Sequence, residues 1–244
     1  MKKIFLAVLA PLCFPALAYA GPADYVYTPT VEFGEREVDV KYGYAEPRNG
    51  TADLASIGLG YGAKEHWFTE ISLKRARKNG DNLTLAEWEN KFQLTETGEY
   101  AVDAGLITEV EAPISGDAPW ELKIGPLLQT DFGRLQLNGN LIFTREFGPA
   151  DKSGAPYNTN FSYQLQAKYR WQKAFEFGLQ GFGAMGKWDQ WDKKAQQDHR
   201  IGPAVFGKVA VGNRQAIRYN ASWLLGASQA APNHVFRMQV EYEF

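Results

Sequence analysis

The sequence predicts a transmembrane, antiparallel, up-and-down β-barrel of about twelve strands, all-β. Three observations predict it. Apolar and polar residues alternate with period two from Val38 onward, no helical period of 3.6 is sustained, and the links between alternating segments are short and long in turn. Composition agrees: 14% of the 244 residues are aromatic and 24 are Gly, which favours strands and turns. A formal net charge of -2 gives no electrostatic footprint for nucleic acid. Beyond the N-terminus no apolar run reaches the 18 residues that a spanning helix needs.

The first element is a targeting segment. Lys2 and Lys3 precede an apolar run from Ile4 to Ala18, and Ala18-Tyr19-Ala20 offers a small-residue cleavage site, so residues 1–20 read as a cleaved signal peptide. Pro11 and Pro15 argue against an ordinary helix there. The one cysteine, Cys13, falls in this segment. The exported chain is therefore expected to have no disulfide, thiol nucleophile or Cys-ligated metal. Residues 21–31, with Tyr25, Tyr27 and Pro29, are either an N-terminal periplasmic tail or a small plug, and residues 32–244 are the barrel.

The last strand is the clearest. Phe236, Met238, Val240, Tyr242 and Phe244 alternate with Arg237, Gln239, Glu241 and Glu243, giving one apolar and one ionic face. The same pattern recurs at Ile217–Leu225, Phe161–Arg170, Leu135–Phe143 and Ser56–Tyr61. Short links are expected at 64–66, 95–99, 130–134, 171–174 and 211–215. Longer loops are expected at 45–53, 77–82, 112–119, 148–159, 187–198 and 228–233. Short turns on one side and longer loops on the other match an outer-membrane barrel, and an even strand number puts both termini at the periplasmic end. Alternation does not say which face points outward, but twelve strands around an apolar lumen would enclose an implausibly wide cavity, so the apolar face is assigned to lipid. Tyr42, Tyr44, Tyr61, Trp67, Trp120, Tyr169, Tyr242 and Phe244 then form an interfacial girdle.

The ending Phe236–Phe244 resembles the terminal signal strand of bacterial outer-membrane proteins. That resemblance implies Gram-negative origin, an outer-membrane location, and partners in outer-membrane lipid and the barrel-assembly machinery. The strands around Ile124-Gly125-Pro126 and Ile201-Gly202-Pro203 resemble, over two hairpins, the MetA-pathway-of-phenol-degradation-like outer-membrane proteins, which implies uptake of small, often aromatic, solutes. Read physically, both prolines remove ladder hydrogen bonds, so bulges or kinks are expected there.

With the polar parity inward, the first six strands line an acidic wall and the last six a basic-leaning one. Strand direction brings Glu35, Glu37, Asp39, Lys168, Arg170, Glu176, Arg218, Glu241 and Glu243 towards the periplasmic mouth, where a charged constriction is expected. Inward glycines at 58, 60, 62 and 178 would widen the lumen locally, or accommodate curvature or a bulky neighbour such as Phe182. The loop containing Trp188, Asp189, Trp191 and Asp192 could stack a sugar or aromatic solute, hold calcium, or anchor the barrel at the membrane boundary. His66, His199 and His234 have no Ser and carboxylate at motif spacing, so no enzyme is expected, nor a cofactor or metal. Asn49-Gly50-Thr51 matches a glycosylation acceptor, a match without meaning after bacterial export. The expected role is passive or facilitated passage of small solutes through a narrow porin-like channel. The alternative is a structural or surface-interaction barrel with an ion-paired, closed lumen.

Overall fold

The structure, a computed structural model, describes residues 21–48, 50–116, 118–148 and 158–244. The signal-peptide segment, Asn49, Asp117 and most of the 148–159 loop lie outside these. Twelve strands, β1 (Arg36–Glu46), β2 (Ala52–Lys64), β3 (Trp67–Lys78), β4 (Asp81–Gln93), β5 (Asp103–Ser115), β6 (Trp120–Phe132), β7 (Leu135–Phe147), β8 (Thr159–Gln172), β9 (Phe175–Lys187), β10 (Asp198–Gly212), β11 (Gln215–Gly226) and β12 (His234–Glu243), pair in sequence order. β1 and β12 close the barrel, from Glu37 opposite Glu243 to Glu46 opposite His234. Closure satisfies every edge, as a sheet in lipid requires.

The burial pattern fixes the faces. Along β2, Ser56, Gly58 and Gly60 point inward while Ile57 and Leu59 stand 54% and 67% exposed on the outside. Asp39, Glu70, Glu109 and Arg237 are at most 3% exposed. Ions inside and bare aliphatics outside are stable only when lipid surrounds the barrel. The interior is thus polar and the outer belt apolar.

Link lengths differ from the sequence expectation in two places. The expected loop at 77–82 is a two-residue hairpin in which Asn79 (φ 52°) and Gly80 (φ 96°) both adopt the left-handed conformation that suits strand twist. The expected short link at 95–99 instead runs from 94 to 102, stapled by Leu94 N donating to Ala104 O at 2.9 Å and by Gly98 N donating to Asp103 Oδ1 at 2.7 Å. The remaining links keep one barrel end short (the turn end) and the other long (the loop end).

Neither Ile-Gly-Pro site is a bulge. Rungs are missing at Gly125–Pro126 towards β7 and at Gly202–Pro203 towards β11, yet the register is unchanged on either side. Proline supplies no N–H there, and a Cβ at Gly125 or Gly202 would overlap the carbonyl of Leu141 or Trp223 on the neighbouring strand. True register shifts lie elsewhere, for example at Gly62/Lys64 and Ala210/Gly212.

Candidate lumen site

Residues 21–34 make no strand of the sheet. They rise from the turn end through the barrel interior to the level of Gly43 and Leu54, near the loop end. The chain turns into the lumen beside β2, where Gly34 N donates to Gly62 O at 2.8 Å and Gly62 N to Glu35 O at 2.9 Å. Gly34 is left-handed, φ 81°, a conformation glycine adopts without penalty.

The segment is extended, so successive side chains reach opposite walls. Val26 packs on Ala45, Phe182, Leu224 and Val235. Tyr27 packs on Ile107, Leu127 and Ile142 across the lumen, with Tyr25 beside it. The Tyr25 hydroxyl donates to Glu89 at 2.8 Å and the Tyr27 hydroxyl to Glu109, while Lys41 lies 4.2 Å from the Tyr25 ring centre. Asn140 donates to the Tyr27 carbonyl at 3.1 Å, and Val31 N donates to Gln93 at 2.8 Å. Pro29 is fully buried against Gly105, and a Cβ at Gly43 would overlap the Pro22 carbonyl. Glycine at 43 and 105 is what lets a second backbone pass so close to the wall.

Around this crossing the wall is chemically divided. On β1, β3, β4, β5 and β6 five acids pair with lysines along the wall rather than across the lumen. Lys41 meets Asp39 at 2.7 Å and Glu70 at 3.2 Å; Lys74 holds Glu87, and Glu111 at 2.9 Å; Lys123 meets Glu109 at 2.8 Å. The acidic wall thus carries part of its own counter-charge, and these lysines pair within it rather than with the wall opposite. Facing it is an amide ladder in which Gln136 and Asn138 donate to Gln129, Gln166 to Asn138, and Gln180 to Gln166. Arg237 donates to Gln180 at 2.7 Å and to Asn220 at 2.8 Å.

The crossing separates two cavities. The larger, about 500 Å³, opens at the turn end, and the smaller, about 190 Å³, lies towards the loop end beside Gly21 and Asp24. Glu35, Glu37, Asp39, Lys168, Glu176, Arg218 and Glu241 all line the larger one. Arg170 does not; it sits at the rim, 3.2 Å from Asp131 and donating to Gly133 O. Glu243 is held by Arg218, and by Lys208 at 2.6 Å. Lys168 and Glu176 pair at 3.1 Å. These charges surround a chamber, and Tyr25, Val26 and Tyr27 cross the lumen above it.

The inward glycines of β2 have particular neighbours. A Cβ at Gly58 would meet Glu70, at Gly60 Phe68 and Glu37, and at Gly62 the Glu32 carbonyl. Gly178 lies against the β8 backbone at Ala167, and the bulky ring nearest one of the four is Phe68, beside Gly60. In the 188–197 loop, Trp188 and Trp191 are exposed; Trp191 stacks on Phe161 at 6.1 Å, on the outer surface, and Asp192 N donates to Met185 O at 2.8 Å. Among the described residues no three His, Cys, Asp or Glu side chains converge as a metal site would need.

Glu35, just outside β1, carries a testable proton. Its Oε1 is buried without a hydrogen-bond partner, and Arg218 is 3.9 Å away. Burial raises its pKa from 4.5 to about 7, against the pull of Arg218 and with Glu32 and Glu243 adding to the rise. Between these values the folded barrel keeps a proton that the unfolded chain has released, so this contribution is full below pH 4.5 and lost as pH passes 7. Glu35→Gln is expected to flatten that slope and to raise the unfolding midpoint at pH 8 more than at pH 5, measured in detergent by urea titration.

No protein-family model matches this chain, and no curated protein matches it. Solved structures do. The COG4313 outer membrane channel from Pseudomonas putida F1 superposes with a TM-score of 0.58 at 14% identity, covering 90% of this chain and 98% of that one. The NanC porin gives 0.54 at 13% identity over 85% and 98%. The translocator domain of autotransporter NalP from Neisseria meningitidis gives 0.50 at 13% over 86% and 87%. At these identities the likeness is one of fold: the chain has the architecture of the outer-membrane β-barrels. None of these comparisons supports the MetA-like resemblance.

Proposed function

We propose that this protein is an outer-membrane channel for small solutes whose passage is closed by its own residues 21–34. The carrying observation is the crossing at Tyr25–Tyr27, which divides the lumen into two chambers and buries Val26 and Tyr27 in apolar pads on opposite walls. Two solved barrels of this fold are described as a porin and a channel, which supports transport as the use of the lumen. On this reading residues 1–20 direct export, the Phe236–Phe244 strand addresses the assembly machinery, the turn end faces the periplasm and the charged chamber is its vestibule.

A structural barrel with a permanently filled lumen is the second reading, favoured by the same-wall ion pairs and the amide ladder. Gly43→Val separates the two without changing the plug's own sequence. A side chain at 43 occupies the place of the Pro22 carbonyl, so the upper plug must shift. In planar bilayers Gly43→Val is expected to conduct at least about fivefold more than the unmodified barrel. Equal conductance would favour the filled-lumen reading.

A further inference from the structure

The outward face of β3 changes character along its length. From the turn end it reads Trp67, Thr69, Ile71 and Leu73, then Arg75 and Arg77, all on the parity that faces lipid. Ile71 and Leu73 are 65% and 52% exposed, as a membrane belt requires, and both arginines above them are exposed too. Arg77 is partly neutralised by Asp53 on β2, at 3.0 and 3.2 Å. Arg75 has no hydrogen-bond or ion-pair partner among the described residues; its rung neighbours are the small Ala55 and Thr84, which leave the guanidinium uncovered. The β2–β3 pairing continues one rung further, Asn79 N donating to Thr51 O at 3.2 Å, and the β1–β2 loop that leads into it carries exposed Arg48.

Arg75 and Arg77 are alternate residues, their Cα atoms about 7 Å apart along the strand, on one outward face at the upper margin of the apolar belt. A fork of planar donors matches phosphate oxygens bidentately. We infer that Arg75 and Arg77, with Arg48 above, bind the phosphate groups of a phosphorylated glycolipid in the external leaflet. Asn82 and Thr84, on the same outward rungs of β4, offer neutral hydrogen bonds to its sugars. The inference rests on the outer-membrane orientation proposed above, because only the loop-end leaflet brings such a lipid to these residues. It does not depend on whether the lumen conducts.

The test uses the folded barrel in detergent, with diphosphorylated lipid A, the same lipid stripped of phosphate, and phosphatidylglycerol as probes, bound lipid being read by native mass spectrometry. Lipid A is expected to bind, the dephosphorylated form not, and phosphatidylglycerol at least about tenfold more weakly. Arg75→Gln with Arg77→Gln is expected to lower lipid A affinity at least about tenfold. Asp53→Asn, which frees Arg77, is expected to raise it, and Arg134→Gln at the opposite end to leave it unchanged. If the double variant fails the heat-modifiable mobility check for folding, Arg75→Gln alone decides, since that side chain has no partner to lose. Undiminished binding by the arginine variants, equal binding of phosphatidylglycerol, or no binding by any form would overturn the inference. Single-channel conductance of the same variants is expected to stay unchanged, so failure of the channel reading would show separately.

Discussion

Deleting residues 22–33 is expected to convert a nearly silent barrel into one with steady openings of at least about tenfold higher conductance. Twelve strands about 4.8 Å apart and tilted about 40° form a backbone cylinder roughly 24 Å across, of which inward side chains fill about half. At the level of Tyr25–Tyr27 the remainder is taken by the N-terminal segment. Its removal takes away the one backbone that crosses the lumen among the described residues, and leaves the barrel ladder whole, because the segment pairs with none of the twelve strands in register. Heat-modifiable migration is therefore expected to survive the deletion. A folded but still silent deletion variant would mean that the amide ladder and wall ion pairs close the lumen themselves.

The second large effect concerns stability. Lys74 holds Glu87, which is 4% exposed, and also reaches Glu111 at 2.9 Å; Lys123 is 3.9 Å from Glu87 and is committed to Glu109. Lys74→Met is expected to lower the unfolding free energy by about 3–5 kcal/mol, because it strands a carboxylate that is desolvated in either case. Pairing it with Glu87→Gln is expected to recover most of that loss, since an uncharged pair has little to desolvate. Urea unfolding of single and double variants in detergent measures both. Equal losses in the two would show that Lys74 acts through packing rather than charge.

Much of the fold was legible because period two is a demanding pattern: a slip of one residue would put Glu70 or Arg237 into lipid. That fixed which residues face inward and the number of strands. Residues 21–34 were not legible, since an extended segment with Pro22 and Pro29 shows no period and satisfies its backbone with scattered wall groups. A signal was nevertheless present. Ile107, Leu127, Ile142, Phe182, Leu224 and Val235 are apolar on the inward parity, and in a water-filled lumen such breaks call for an apolar partner.

The ion pairing escaped for a different reason. Charges summed over each half of the barrel gave an acidic and a basic wall, but Lys41, Lys74 and Lys123 lie within reach of acids on the same strand or one or two strands away. Short-range pairs outweigh a field across the lumen when both ions are desolvated. Loop lengths at 79–80 and 94–102 failed because turn chemistry and side-chain staples, not residue count, decide where a strand ends.

The central claim, that residues 21–34 occupy and close the lumen, is tested most directly by tethering them. Val26→Cys and Val235→Cys introduce thiols at two residues of one apolar cluster, in a chain whose only native cysteine is Cys13. Single-channel current is then recorded from one bilayer before and after reduction. The expected result is an oxidised barrel that stays silent and on reduction regains no more than the rare openings of the nearly silent unmodified protein; wide, steady conductance unchanged by reduction would contradict it.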